Sequence, residues 1–160
     1  MRTKYIIHCC AGAFISSVFF MLGYWYSHHN LRFTCSSATA SFYTNNDNKP
    51  FLDFTQNITF SYWGKATVSL SGNLYTTEGK MYVINRSVFY DYEHIGASQY
   101  RLKVTGAMSY GNDSVPVSLE RKHLMPILKD VSRVMGIRHL ANGDVIFFNN
   151  AGPFFICAVH

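Results

Sequence analysis

Residues 52–62, LDFTQNITFSY, alternate between apolar and polar side chains more regularly than any other stretch of the chain. Polar residues fill one parity, and the apolar parity is interrupted only by Gln56. The apolar parity consists of Leu52, Phe54, Ile58, Phe60 and Tyr62. Because successive side chains of a β-strand point to opposite faces, this pattern predicts a strand with one buried face and one solvated face.

Similar alternation recurs on both sides of this stretch and predicts about eight strands in all. Thr77–Lys80 and Asn142-Gly143 are typical β-hairpin turns, and Gly72 is expected to open a further turn or bulge. The other predicted strands are residues 34–43, 66–71, 81–92, 100–110, the end of 129–140, 145–148 and 154–159. Short turns between successive strands favour an antiparallel meander.

One short helix is predicted after the strand at 100–110. Asp113 or Ser114 can cap it, Pro116 suits its first turn, and Pro126 is expected to end or kink it. The predicted fold class is therefore α+β. It consists of an N-terminal transmembrane helix, followed by a curved antiparallel β-sheet or barrel-like meander of about eight strands packed on one helix.

Residues 5–26 are almost wholly apolar, carry no formal charge and are long enough to cross a bilayer as a helix. Arg2 and Lys4 precede them, so the positive-inside rule keeps the N-terminus in the cytoplasm. Bulky aromatics stand where a cleavage site needs small residues, which favours a retained anchor over a cleaved signal peptide. The prediction is a single-pass bacterial inner-membrane protein with a cytoplasmic segment 1–4, an anchor 5–26, a juxtamembrane linker 27–33 and a periplasmic β-rich domain 34–160.

The charge and motif content of the chain limit the possible function classes. The net charge is +5 and the basic residues are scattered, whereas nucleic-acid-binding domains show a basic patch, so no direct nucleic-acid contact is expected. No nucleotide-binding or hydrolase motif and no metal-ligand spacing of histidines occurs, so neither a metal nor another cofactor is expected. A periplasmic hydrolase is the weaker alternative, because no nucleophile–base set is visible. We predict that the protein is not an enzyme.

Cys35 and Cys157 lie at the two ends of the predicted exported domain. In an oxidising compartment, an isolated pair of this kind is most simply a disulfide. The alternative is two unpaired buried thiols. Closing a loop of roughly 120 residues is expected to stabilise the domain by about 4–5 kcal/mol in the chain-entropy model.

Three histidines are candidates for sensing pH, namely His94, His123 and His139. Histidine is the side chain that titrates between about pH 5 and 8, and charged residues adjoin His94 and His123 in sequence. The alternative is that these histidines are ordinary surface residues.

The predicted strand at 81–92 carries large side chains on both faces, which is typical of a strand covered on both sides. Arg86 lies among its aromatic residues, either as an edge charge that prevents aggregation or as a paired internal charge. A wide aromatic face is either core or a docking surface for a partner or ligand. The candidate face consists of Tyr82, Arg86, Val88, Tyr90, Tyr92 and Tyr100.

Short motifs follow one another in a recognisable order along nearly the whole chain. After the N-terminal apolar stretch come Phe33-Thr34-Cys35, the alternating strand from Gly64 to Gly72, Tyr82-Val-Ile-Asn-Arg86, Asn112-Asp-Ser-Val-Pro116, Asn142-Gly143 and Pro153-Phe-Phe-Ile-Cys157. In this order the chain resembles the FidL-like family of small inner-membrane proteins, which includes PsaF and MyfF. The segment at Pro126 departs from the aromatic stretch expected there.

The resemblance implies a periplasmic co-regulator with a role similar to that of ToxS. Such a protein binds and stabilises the periplasmic domain of a ToxR-like membrane-bound winged-helix transcription regulator and helps it respond to a signal such as acidic pH or temperature. The implied partners are that regulator and membrane lipid. The alternative function is a periplasmic barrel that binds a bile-like or lipid-like amphipathic ligand.

Overall fold

The computed structural model describes residues 2–42, 50–124 and 131–160. Only the backbone is described at residues 2–7, 9–11, 25–29, 41, 42, 50 and 122. The chain divides into two compact units, Met1–Leu31 and Arg32–His160. The second unit begins two residues before the predicted β-rich domain.

The first unit contains one helix among its described residues, α1 (Arg2–His29). Within the part of the chain that the structure describes, no helix combines the length and the apolar character needed to cross a membrane. The predicted anchor at 5–26 includes residues 5–7, 9–11, 25 and 26, whose side chains lie outside the described set. The anchor therefore stays a prediction.

The described strands of the second unit form a closed antiparallel barrel, in which each strand pairs with the next and β8 returns to β1. The strands are β1 (Phe33–Phe42), β2 (Pro50–Ser61), β3 (Lys65–Tyr75), β4 (Met81–Gly96), β5 (Gln99–Ser109), β6 (Ser132–His139), β7 (Val145–Asn149) and β8 (Gly152–Val159). The predicted antiparallel, barrel-like meander of eight strands is confirmed.

A short helix, α2 (Val117–His123), follows β5 as predicted. Pro116 occupies its N-cap position and no side chain caps it, so the predicted cap by Asp113 or Ser114 is wrong. Both side chains bind β4 instead, because this strand offers them an amide and a guanidinium. The predicted helix end at Pro126 lies outside the described residues.

β3 continues without interruption through Gly72, which pairs with Phe54 of β2. The turn or bulge predicted at this glycine is therefore wrong. A Cβ atom added to Gly72 would fall closer to the backbone of Asp53 and Phe54 than real Cβ contacts allow. Glycine is needed here because two strand backbones approach each other closely.

The aliphatic core lines the inside of the barrel along β2, β3, β4 and β5, and it extends to α2. Leu124, just beyond α2, is buried in this core, and Leu119 of the helix packs against it. The buried members contributed by the strands are Leu52, Leu70, Leu74, Ile84, Val88 and Val104. The helix is therefore held to the barrel by its apolar side chains.

A disulfide joins Cys35 of β1 to Cys157 of β8, with the Cα atoms 5.4 Å apart and a sequence separation of 122. The predicted bridge is confirmed. β1 and β8 pair at two described positions, Cys35 with Val159 and Ser36 with Ala158. The bridge thus reinforces the shortest of the described strand-to-strand seams.

Candidate functional site

The barrel contains a cavity of about 510 Å³ whose wall receives side chains from all eight strands. Most of this wall is apolar. Representative wall residues are Leu52, Ile58, Ala66, Leu70, Val104 and Phe147. The closed sheet therefore surrounds a space that favours apolar groups.

The apolar parity of β2 supplies one side of the cavity through Leu52, Phe54, Ile58 and Phe60. Gln56 lies in the middle of this row and also lines the cavity, although its side chain is only 8% exposed. Buried amides in proteins form hydrogen bonds. Gln56 therefore provides a polar group on a mostly apolar wall, at the position where the apolar parity of β2 is interrupted.

Tyr90 of β4 and Arg133 of β6 add polarity to the cavity wall. Burial raises the pKa of Tyr90 to about 12, against the smaller opposing effect of the Arg133 charge. The phenol therefore stays neutral at physiological pH and can donate or accept a hydrogen bond. Arg133 is exposed as well as lining the cavity, so it places a permanent positive charge where the cavity meets solvent.

Arg86 and Asp113 form an ion pair in which both side chains are 3% exposed. Arg86 donates from Nε to Oδ2 of Asp113 at 2.8 Å and from Nη2 to Oδ1 at 2.6 Å. The backbone amides of Asn85 and Val115 donate to the same carboxylate. Glu120 of α2 completes the cluster, with Oε2 3.1 Å from Arg86 Nη1. Arg86 is therefore a paired internal charge that links β4 to α2 and to the loop before it.

Opposing effects set the pKa values in this cluster. Burial alone would raise the pKa of Asp113, but hydrogen bonds from Arg86 and from two backbone amides outweigh it and lower the pKa below its usual value. Burial lowers the pKa of Arg86, but the combined effect of Asp113 and Glu120 is larger and raises it above its usual value. Both partners of the Arg86–Asp113 pair are therefore charged at neutral pH.

The predicted aromatic face of β4 and β5 faces the barrel interior. Arg86, Val88, Tyr92 and Tyr100 are buried, and Tyr82 and Tyr90 are half-buried. Of these six residues, Tyr90 lines the cavity. Four of the six residues are therefore core residues, whereas Tyr90 forms part of the cavity wall, and the role of the face in binding a partner or ligand stays a prediction.

Tyr92 and Tyr100 belong to an aromatic cluster near the proximal end of the barrel, which we define as the end where Arg32 leads into β1. The rings of Phe60 and Tyr92 are 5.2 Å apart, and those of Tyr92 and Tyr100 are 6.1 Å apart. The Tyr92 hydroxyl donates a hydrogen bond to the Ser61 carbonyl at 3.2 Å. Because Phe60 also lines the cavity, this cluster limits the cavity toward the proximal end.

The three candidate pH-sensing histidines lie in different parts of the second unit. His94 is half-buried near the end of β4, with its ring 5.1 Å from that of Tyr100. His139 is exposed on β6, with its ring 5.5 Å from that of Phe33. His123, at the end of α2, is half-buried and lines the cavity. The histidines therefore do not form one cluster, and of the three His123 is the one that lines the cavity.

A surface that sequence reasoning did not single out lies on the outside of β4 and β5. Phe89, Met108 and Tyr110 are each more than a third exposed. Met108 pairs with Ser87, and the Tyr110 hydroxyl lies 3.1 Å from the Ser87 hydroxyl, so these residues share the outer face. We call Phe89, Met108 and Tyr110 the β4–β5 patch. The second apolar face of the predicted strand at 81–92 was its signal in the sequence.

Across the residues that the structure describes, no three His, Cys, Asp or Glu side chains lie close enough together to hold a metal ion. The candidate site is the mostly apolar barrel cavity, with a few polar side chains on its wall. No protein-family model, curated protein or solved structure was found to match the chain. The resemblance to the FidL-like family accordingly stays a prediction.

Proposed function

We propose that the protein is a membrane-anchored accessory protein whose periplasmic barrel binds an amphipathic ligand. The observation that carries this proposal is the cavity of about 510 Å³ inside the barrel. Small-molecule sites typically measure about 300–1,000 Å³, are mostly apolar and contain a few placed polar groups. The cavity has each of these properties.

The polar groups of the wall define the ligand class. The aliphatic and aromatic wall suits a hydrocarbon body, whose transfer from water is favourable. Gln56 and Tyr90 place polar groups on the cavity wall, and Arg133 offers a positive charge at its solvent-facing side. A fatty acid or a bile-like molecule, with an apolar body and an anionic head, fits this arrangement.

Photolabelling of the full chain in lipid nanodiscs tests the proposal. The probe is a fatty acid with a diazirine in its hydrocarbon chain, and the labelled residues are identified by mass spectrometry. We expect label on cavity residues of β3 and β5, and competition by an unlabelled bile acid. Label confined to α1, or no competition, would contradict ligand binding in the barrel.

Two variants of β3 sharpen this test. Val68→Phe adds volume on the cavity wall and is expected to abolish labelling of the barrel. Ser71→Phe makes a similar addition at an exposed position of the same strand and is the matched control. Equal labelling of the two variants would show that the probe does not occupy the cavity.

A second candidate function is that of a co-regulator, as the sequence resemblance implies. In this role the barrel contacts the periplasmic domain of a ToxR-like inner-membrane transcription regulator and stabilises it. The β4–β5 patch supports the proposal, because exposed clustered apolar side chains are typical of protein–protein contact surfaces. A common membrane raises the effective concentration of two anchored partners, so a modest interface suffices.

Site-specific crosslinking in living cells tests the co-regulator role. A photoreactive amino acid replaces Met108 in the β4–β5 patch, or Thr55 at an exposed position of β2 as the control. We expect a crosslink to a membrane-bound regulator from position 108 but not from position 55. Equal crosslinking at both positions, or none at 108, would contradict a partner surface on the patch.

A further inference from the structure

The antiparallel topology collects several turns at the proximal end of the barrel. β1 starts there, so the β2–β3, β4–β5 and β6–β7 turns lie at the same end. Three large hydrophobic side chains are exposed in or beside the first two of these turns. Trp63 is 81% exposed, Tyr62 is 46% exposed and Ile95 is 39% exposed.

The β2–β3 turn holds Trp63 in an unusual backbone conformation. Its φ is 68°, in the left-handed region that residues other than glycine rarely adopt. The next residue, Gly64, accepts a hydrogen bond from the Tyr92 amide at 2.7 Å. A Cβ on Gly64 would lie 2.6 Å from the Tyr92 carbonyl oxygen. The backbone of the turn is therefore held against β4, while the indole of Trp63 is exposed.

The charges near this end are compatible with lipid phosphates. Arg32 donates to the Tyr62 hydroxyl at 2.6 Å, and its guanidinium lies 4.8 Å from the centre of the Tyr62 ring. Two carboxylates near the same end pair with neighbouring cations, Asp91 with Lys65 and Glu93 with Arg101, and a third, Asp144 in the β6–β7 turn, accepts a hydrogen bond from Asn142. Tryptophan and tyrosine are enriched at membrane–water interfaces, and the arginine guanidinium binds phosphates well.

We propose that the proximal end of the barrel docks on the headgroup region of a lipid bilayer, with Trp63 inserted at the interface. The inference rests on the anchor in the proposed function but does not depend on a ligand in the cavity. In place of the predicted linker 27–33, the structure leaves residues 30–32 between α1 and β1, and these three residues span at most about 11 Å when fully extended. The chain enters β1 at the proximal end, so this short tether brings that end, with its exposed indole, within reach of the headgroups.

Fluorescence of the full chain in liposomes tests this inference. Trp25→Phe removes the second tryptophan and leaves Trp63 as the reporter. We expect Trp63 emission to be blue-shifted and to be quenched by lipids that carry bromine high in the acyl chain. Added acrylamide, a water-soluble quencher, is expected to have little effect.

A matched reporter at the opposite end of the barrel controls for non-specific quenching. It combines Trp25→Phe and Trp63→Phe with Glu78→Trp in the exposed β3–β4 turn. This reporter is expected to respond to acrylamide and not to brominated lipid. Membrane-inserted protein whose Trp63 behaves like this control would overturn the docking inference alone. Release of the chain from membranes by alkaline carbonate would overturn the anchor and the docking inference with it.

Discussion

At the residue scale, Arg86 shows how one charge can be kept inside a β-barrel. Its guanidinium is 3% exposed, and the Asp113 carboxylate meets it with two parallel hydrogen bonds. Asp113 is itself fixed by the amides of Asn85 and Val115. Because each charge has an opposite charge and hydrogen bonds close to it, the pair avoids the large free-energy cost of an uncompensated buried charge.

Asp113→Asn removes the charge that compensates Arg86. We expect the free energy of unfolding to fall by roughly 3–5 kcal/mol, since a buried cation then keeps only the more distant Glu120. Urea denaturation followed by near-ultraviolet circular dichroism measures the change. Asp91→Asn breaks the exposed pair with Lys65 and should cost less than about 1 kcal/mol. Equal losses for the two variants would mean that the buried pair contributes no more than a surface pair.

The pH dependence of this pair has a defined sign. The folded-state pKa of Asp113 is lowered, so its stabilisation is complete above its unfolded pKa of about 4 and is lost as pH falls below that value. The stability difference between wild type and Asp113→Asn should therefore stay constant from pH 7 to pH 5 and shrink below about pH 4. Denaturation at a series of pH values measures it. A stability difference that already declines between pH 7 and pH 5 would contradict a lowered pKa of Asp113 in the folded state.

The amide of Gln56 is a single functional group at which ligand binding in the cavity can be tested. Gln56→Leu keeps a side chain of similar size but removes the amide from the cavity wall. We expect weaker competition by a bile acid in the photolabelling assay, because its polar groups lose a hydrogen-bond partner. Competition by a neutral long-chain hydrocarbon should be unchanged. An equal loss for both competitors would indicate a change of cavity shape instead.

At the scale of the element, β3 depends on the close approach of its backbone to β2 at Gly72. Gly72→Ala places a methyl group against the backbone of Asp53 and Phe54, which cannot move aside as a side chain can. We expect a loss of about 2–3 kcal/mol in the free energy of unfolding. Gly111→Ala is the control, because a Cβ there meets nothing within 4 Å, and its effect should stay within about 0.5 kcal/mol. An equally mild effect at both positions would show that the strands can separate without cost.

The elements that sequence analysis predicted correctly are those with a local signal. The alternation in 52–62 predicts β2, and Asn142-Gly143 predicts the β6–β7 hairpin, because side-chain parity and turn chemistry are properties of neighbouring residues. The role of Gly72 was not predictable in this way, since a break in a strand and a close backbone contact both require glycine. Asp113 was likewise read as a helix cap because its partner, Arg86, is distant in sequence.

The cavity depends on strand pairing and was for that reason predicted only as an alternative. Its wall combines side chains from all eight strands, and no single strand shows that they surround an empty space. Gln56 was the one local sign, as a polar residue on an apolar face. Arg133 gave no sign, because a surface arginine and one that borders a cavity look alike in sequence.

At the scale of the whole molecule, the barrel is closed by its shortest described seam. β1 and β8 pair at two described positions, and the His160 amide adds a hydrogen bond to the Thr34 carbonyl at 3.1 Å. The Ser36 hydroxyl and His160 Nε2 lie 2.6 Å apart across the same seam. The Cys35–Cys157 disulfide adds a covalent link there. We therefore expect the integrity of the cavity to depend on this bond.

Replacing both Cys35 and Cys157 by serine tests that dependence. The chain-entropy model gives a loss of about 4–5 kcal/mol for a loop of this length, and measured losses are commonly 2–5 kcal/mol. If the seam opens before the rest of the barrel, amide hydrogen exchange should accelerate most in β1 and β8 and least in β3 and β4. Photolabelling of the cavity should fall in parallel. Acceleration to the same extent in all strands would instead mean that the bond stabilises the barrel as a whole and does not act specifically on its seam.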